Sequence, residues 1–558
     1  MSVWAVAALA AFLQQSPKAS IEGYVVRAGT NDPIAGAQIT VRRSSADELS
    51  PAPPDDLTEI AQIPVVTTDS QGRFIVKDLE AGSYGIVAAR NGFARQQYGE
   101  RAPGRPGSIL RLTTGQVVKY VVFRMISAGA VGGRVSDASG EPIPGIAVQL
   151  LKSIYDGSGK RTFQTISTAR TDERGEYRMY LVTPGRYFVS ASPSQDHSAS
   201  FLNEVHEPGY VLTYYPGGAD PSAASSIEIQ PGDELSNVDF RLNKQRLFRI
   251  RGRIVDTRTG KPPGMINISI LARDPLGASR LETVPERYDP RNGTFELHDV
   301  PPGPYWLQAQ ALPESQSITQ FSLADFFTNF AQAPIEVSNS DVENVTLAFT
   351  AGFSISGRIA VEGTTASPPA NLEKITVFLN PDESSPVPSL PQQVKPDGSF
   401  VLEKVQPGNY RLNMQGEPPN SYVKSIVFAG RDVLNGISVS GPVSDPLEVV
   451  LSTAAGQIEG TIVDKDGKPM RAVSAVLIPN RQRERRDLYR MATSDEGGRF
   501  KIPTVVPGDY KLFAWEDLES FAYHDADFLR KYEEHGVPVS VAENGKITVD
   551  AKMIPARQ

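Results

Sequence analysis

The chain has 558 residues, 40% hydrophobic and 22% charged, with a formal net charge of −8. This balance describes folded globular domains rather than disorder, and it gives no general attraction to nucleic acid or anionic lipid. There is no cysteine and there are only five histidines, which excludes disulfides, thiol nucleophiles, iron–sulfur clusters and cysteine-ligated zinc and argues against a histidine-rich metal site.

The chain opens with an apolar run, Val3 to Leu13 (VWAVAALAAFL), that carries no charge. A bilayer span needs about 20 such residues, so residues 1–17 are expected to be a secretory signal-like segment, although no Lys or Arg precedes the run. The alternative is a buried N-terminal segment. The expected location is therefore outside the cytoplasm: periplasmic, cell-surface or extracellular. No other stretch approaches membrane-spanning length.

From residue 18 onward the sequence repeats on three anchors. The first is a Gly ahead of an apolar strand, at Gly23, Gly133, Gly252, Gly357 and Gly460, spaced 110, 119, 105 and 103 residues apart. The second is Gly-x-aromatic, at Gly72/Phe74, Gly175/Tyr177, Gly293/Phe295, Gly398/Phe400 and Gly498/Phe500. The third is Gly-x-Tyr, at Gly82/Tyr84, Gly185/Tyr187, Gly303/Tyr305, Gly408/Tyr410 and Gly508/Tyr510, always ten residues after the second. A period near 100 residues is too long for a solenoid unit, so each copy is expected to be a domain. The expected boundaries are 18–126, 127–244, 245–350, 351–453 and 454–558.

Within a copy, apolar residues alternate along short runs such as Tyr305, Leu307, Ala309 and Tyr510, Leu512, Ala514, and glycines and Pro-Gly pairs stand where the alternation stops. That pattern predicts an all-β chain of five tandem antiparallel β-sandwiches. Each copy closes on another alternating run, for example Val238/Phe240/Leu242. Phe321 to Ala333 and Asp525 to Glu534 are expected to be short helical insertions, the second capped by Asp525. Pro-rich stretches (50–56, 367–370 and 381–391) are expected to be loops.

The anchors resemble the carboxypeptidase regulatory-like domain, a transthyretin-like sandwich of about seven strands, also Cna-B-like. The resemblance is carried by Gly133-Arg-Val-Ser-Asp-Ala-Ser-Gly-Glu-Pro, Thr171-Asp-Glu-Arg-Gly-Glu-Tyr and Pro184-Gly-Arg-Tyr. The fifth copy repeats it in Gly460-Thr-Ile-Val-Asp-Lys-Asp-Gly-Lys-Pro, Ser494-Asp-Glu-Gly-Gly-Arg-Phe and Pro507-Gly-Asp-Tyr. Tandem arrays of this kind look like large exported envelope proteins. The resemblance implies a non-catalytic module.

The residues offer no catalytic constellation. His197, His206, His298, His524 and His535 include no His-x-x-Glu pair of the kind a zinc peptidase needs. There is no Gly-x-Ser-x-Gly elbow and no phosphate loop; Gly157-Ser-Gly-Lys160 is followed by Arg161 and is expected to be an ordinary loop. Asp464-Lys-Asp-Gly467 is expected to be a tight hairpin rather than a calcium loop, and Asp69, Asp172, Asp397 and Asp495 to cap turns. An internal Lys–Asn isopeptide bond is disfavoured, because the first-strand positions facing Asn237 and Asn344 hold Arg134, Arg253 and Arg358. The basic run Arg481 to Arg490 reads as a solvated hairpin. No metal or cofactor is expected.

Aromatics are the candidate ligand-binding residues. If Tyr305 and Leu307 face the core, Trp306 faces outward; the same alternation turns Phe513 and Trp515 outward in copy five and Phe188 in copy two. Such rings stack on sugars unless neighbouring domains or the helical insertions cover them. Tyr214 and Tyr215 form a further candidate in a loop, with packing of that loop as the alternative. The expected function is a non-enzymatic, exported binding or scaffold protein of the cell envelope, with polysaccharide or an envelope protein as partner. The alternatives are a carbohydrate-binding (starch-binding-like) array using those aromatics and an accessory protein of a peptidase.

Overall fold

The computed structural model describes residues 17–44, 65–100, 107–193, 209–273, 280–281, 287–312, 329–362, 371–381 and 389–556. The segment before Pro17, residues 50–56, 367–370 and 382–388, most of Phe321 to Ala333, His197 and His206 lie outside these residues; of the expected loop 381–391, Pro381 instead ends the strand Thr376–Pro381 by pairing with Tyr410. The described chain is all-β, with strands in separate small sheets and only short helical turns.

Each copy places two sheets around one core. In copy five the first sheet pairs Gly456–Val463 with Arg499–Val505 and with the closing strands Lys546–Thr548 and Ala551–Lys552; the second runs in the order Arg490–Thr493, Ser474–Pro479, Gly508–Trp515, Val537–Val541. Between them lie Ile458, Ile462, Leu477, Phe500, Ile502, Tyr510 and Leu512, all buried. Fully burying each such side chain is worth about 1.5–3 kcal/mol, which is how a sandwich of this size holds together without disulfides. Copies one, three and four have equivalent single clusters.

The anchors are the joints of this arrangement. An added Cβ at Gly460 would lie 1.8 Å from the Val549 carbonyl oxygen, and at Gly23 2.0 Å from that of Val121. At Gly133 and Gly252 it would meet Val238 O and Val345 O at 2.1 and 2.2 Å, whereas at Gly357 it would strike the Phe400 ring. The first-anchor glycine is therefore where the closing strand crosses tightly over the first strand, beside the aromatic of the second anchor. The second-anchor glycine sits at positive φ, and its carbonyl accepts from the amide two residues past the first anchor: Val25 N to Gly72 O at 2.8 Å, Ile254 N to Gly293 O at 2.7 Å, Ile462 N to Gly498 O at 2.8 Å. The tyrosine of the third anchor donates its hydroxyl to the carbonyl four residues back, as in Tyr187 to Thr183 O and Tyr510 to Val506 O, both at 2.7 Å.

Asp69, Asp172, Asp397 and Asp495 cap turns: Asp172 Oδ1 accepts from Arg174 N at 2.9 Å and Glu176 N at 2.8 Å, Asp69 and Asp495 do the same, and Asp397 accepts from the amide and hydroxyl of Ser399. Asp464 closes the expected hairpin by accepting from Asp466 N and Lys468 N, each at 2.9 Å.

Two expectations change. The first and closing strands of every copy run parallel, as in Gly23↔Val121 and Gly252↔Val345, so each otherwise antiparallel sandwich contains one parallel pair. This follows from the crossover that returns the chain to the side of the first strand away from its antiparallel neighbour. The end of the first predicted helix is strand: Phe330–Val337 pairs with Gly303–Leu312 and buries Ala331, Ile335 and Val337 by alternation. In the second insertion, Ala526–Arg530 is a short helix with Asp525 as N-cap, whose side chain accepts from Phe528 N at 2.6 Å.

The chain forms two compact units. One comprises Met1–Lys152, Thr165–Ser194 and Leu212–Asn243; the other comprises Ser153–Gln164, Gln195–Val211 and Lys244–Gln558.

Candidate functional site

The outer face of the second sheet of copy five carries a second apolar cluster, distinct from the sandwich core. Alternation along Gly508–Trp515 sends Tyr510, Leu512 and Ala514 into the core and Phe513 and Trp515 to the opposite side, where they meet Val476 and Ile478 of the adjacent strand. Phe513 and Trp515 stack with ring centroids 5.0 Å apart and planes 9° apart. The segment after Trp515 folds over them. Phe528 lies 5.9 Å and Tyr532 5.8 Å from the Trp515 ring, and Leu529 is buried in the same cluster. Gly536 passes so close that a Cβ there would lie 2.6 Å from Phe513 Cζ.

The outward orientation of Phe513 and Trp515 is thus as the alternation predicts, but their exposure is not. They are 0% and 2% exposed, because the insertion brings aromatics of its own that cover them. A sugar ring has no access to either face.

Beside this cluster stands His524. Its ring lies 4.4 Å from Tyr489 and 4.5 Å from Tyr523. Burial, with the Arg486 guanidinium adding repulsion, pushes its pKa down to about 4, so the imidazole is neutral at pH 7. His524 Nδ1 and Trp515 Nε1 are buried without a hydrogen-bond partner. The basic hairpin above it is neutralised internally: Arg483 and Lys511 both bond Glu533, at 2.8 and 2.9 Å, and Arg485 pairs with Asp487. Among the described residues no three His, Asp or Glu side chains converge as metal ligands would.

The other candidates are dispersed. Trp306 is half-buried on the outer face of its sheet, opposite Leu271 and Pro334, with the Arg273 guanidinium 5.1 Å over its ring. Phe188 is half-buried opposite Leu151. Tyr214 is buried in a short strand pairing Thr213–Tyr214 with Ser190–Ala191, and Tyr215 packs edge-on against Phe240 at 6.0 Å. Tyr214 is thus taken up by pairing with the sheet edge, while Tyr215, just past that strand and half-buried, packs against Phe240.

Sequence reasoning did not find two surface clefts on the first sheets of copies two and three, of about 530 and 910 Å³. In copy three, Glu296 accepts from Arg251 Nε at 3.0 Å and Arg249 Nη1 at 3.3 Å, while Arg251 Nη1 reaches Glu343 at 2.8 Å. Partial burial opposes ionisation of Glu296, but these guanidiniums outweigh it and hold the carboxyl below its usual range. The charges satisfy one another. The only available sequence signal was the Arg-x-Arg pair before the third copy's first strand, which has no motif value.

The curated protein colossin-A of Dictyostelium discoideum is 23% identical over 363 residues, a match covering 62% of this chain and 3% of that protein. The chain thus spans only a small fraction of that relative's length. Among solved structures, the minor pilin GBS52 of Streptococcus agalactiae aligns with 41% of this chain and 97% of its own at 14% identity and TM-score 0.22. The shaft pilin SpaA of Lactobacillus rhamnosus GG aligns with 42% of this chain and 99% of its own at 13% identity and TM-score 0.18. The carboxypeptidase regulatory-like domain family model matches two tandem stretches, residues 20–122 and 130–243, which fall on the first two copies.

Proposed function

We propose that the protein is a non-catalytic, multi-domain surface scaffold, exported from the cell, in which five β-sandwiches of about 100 residues each act as independent folding units. The observation that supports this best is how the recurring residues are used. Gly, Phe or Tyr, and Tyr at the three anchors are consumed in close strand approach, turn closure and core packing, the closing-strand carbonyl meeting the first-anchor glycine in four copies and the Phe400 ring meeting it in copy four. What recurs in this chain is mechanical. The apolar run Val3 to Leu13 supports export.

Single-molecule pulling on the full chain tests the architecture. Five unfolding steps are expected, each releasing about 100 residues or roughly 350 Å of contour. Two steps only, matching the two compact units, would refute independent sandwiches. A fusion of residues 1–30 to a periplasmic reporter tests export, and an inactive fusion would refute it.

A carbohydrate-binding reading rests on Trp306 and Phe188, whose rings keep part of their outer faces open. Titration of soluble glycans against Trp306 fluorescence tests it, and no response across the panel would rule it out.

A further inference from the structure

The loop containing Gly157-Ser-Gly-Lys160 belongs by sequence to copy two, yet Ser153–Gln164 clusters with the second compact unit. Its contacts there are specific. The Tyr155 ring, 5% exposed, meets Phe528 edge-on at 6.3 Å. Arg161 lies over the Tyr155 ring at 4.0 Å, donates to its hydroxyl at 2.8 Å, and reaches Glu519 at 3.6 Å. Arg486 donates to Ser158 O at 3.1 Å.

Gly159 fits against His524. It has φ +77°, and a Cβ there would sit 2.6 Å from His524 Cβ and 3.0 Å from Asp525 N. The loop arrives already shaped, since Asp156 Oδ1 accepts from Ser158 N at 2.8 Å and Lys160 N at 3.0 Å. The seat is shaped too: Phe528, Glu519 and His524 all lie on the insertion that caps Trp515.

We propose that the capped outer face of copy five is a recognition site for a glycine-tipped, tyrosine-bearing β-hairpin loop, filled in this structure by the chain's own residues 153–164. Tyr155 is the anchor, Arg161 and Arg486 fix its orientation, and Gly159 provides the clearance against His524. The insertion of copy five is then more than a lid over Trp515; its outer side is the receptor. The neutral state of His524 suits this role, because an imidazolium beside the Arg486 guanidinium that holds Ser158 would oppose seating.

The test uses the full chain with Gly159→Arg, which cannot seat its own loop. A fluorescein-labelled synthetic peptide of residues 151–165 is expected to bind this variant saturably. It should bind the wild-type chain about a hundredfold or more weakly, because the tethered loop competes at high effective concentration. A Tyr155→Ala peptide should fail to bind the variant. No binding to the variant, or equal binding to variant and wild type, would overturn the proposal. A second measurement does not depend on the variant's folding. In the otherwise natural chain, Tyr155→Ala should let the peptide bind about as it binds the Gly159→Arg chain, because the tethered loop has lost its anchor. A Tyr155→Ala chain that excludes the peptide as strongly as wild type does would equally overturn the proposal.

Discussion

Replacing Gly460 with alanine should unfold copy five at markedly lower temperature. The new methyl would lie 1.8 Å from Val549 O and 2.7 Å from Val549 C. An ordinary contact needs about 3.4 Å, so the closing strand must retreat by about 1.5 Å. That movement would break the bond from Val549 N to Glu459 O, now 2.9 Å, and disturb the parallel pairing of Gln457, Ile458 and Glu459 with Lys546, Ile547 and Thr548. Overpacking typically costs about 1–3 kcal/mol, and each hydrogen bond lost about 0.5–1.5 kcal/mol. The sum is about 1.5–4.5 kcal/mol, a large part of the ~5–15 kcal/mol that holds a domain together. For a domain of about 100 residues it corresponds to a fall in Tm of at least ~6 °C. The assay is thermal unfolding followed by Trp515 fluorescence in a Trp4→Phe, Trp306→Phe background. Gly467→Ala is the control: nothing lies within 4 Å of a Cβ there, and only its φ of +81° disfavours alanine, for about 1 kcal/mol. A Gly460→Ala chain melting within 3 °C of its parent, or no more destabilised than Gly467→Ala, would refute the strand-crossing argument.

Other predictions address different joints. Thr171→Val removes the buried hydroxyl that accepts from Ile146 N at 2.9 Å and donates to Ile143 O at 2.7 Å, and should destabilise copy two by about 2 kcal/mol in urea. Thr504→Asn should stabilise copy five by about 1 kcal/mol, because Thr504 is β-branched at φ 54° and asparagine tolerates that region better; an unchanged or lower urea midpoint would count against it. His524 has its folded pKa lowered from 6.5 to about 4, so the unfolded chain binds the extra proton between those values. Its contribution is fully present above about pH 6.5 and lost as pH falls toward 4. The full shift corresponds to about 3 kcal/mol, or about 1–2 kcal/mol once screening of a partly exposed group is allowed for. His524→Phe should abolish that part of the pH dependence between pH 7 and 4; identical profiles for the two chains would refute it.

The sandwich was legible because its joints use glycine, and glycine leaves a readable mark. Gly23 and its equivalents mark strand crossings, and Gly72 and its equivalents mark positive φ. The bulge before the third anchor was not legible, although it recurs just as faithfully. Its positive-φ residue is Asp78, Leu181, Asp299, Lys404 or Thr504, each four residues before the anchor glycine. Four different residue types share the five positions of one strained conformation, so no single letter marks it. Tertiary pairing imposes the left-handed turn against local preference, shifting register with the first strand at each site. The Trp515 cluster was half legible. Alternation gives the direction of a side chain, but what lies over it depends on a segment folding back from residues 518–536, and that packing has no period.

The outer face of the second sheet is where the copies diverge. Copy three leaves Trp306 half-covered under Arg273, copy two leaves Phe188 half-covered, and copy five builds a complete cap with Phe528, Leu529 and Tyr532. The three anchors fix the core of each sandwich from the inside, so substitutions on this outer face leave that core unchanged. A chain whose cores are held by recurring glycine and tyrosine joints is free to vary one face per copy. Selectivity for any partner must therefore come from these covers, which the repeat leaves unconstrained. Grafting the 516–536 segment onto the equivalent position of copy three should bury Trp306 and blue-shift its emission without lowering that copy's melting temperature by more than about 4 °C, the equivalent of ~1 kcal/mol. Loss of the copy-three core on grafting would show instead that face and core are coupled.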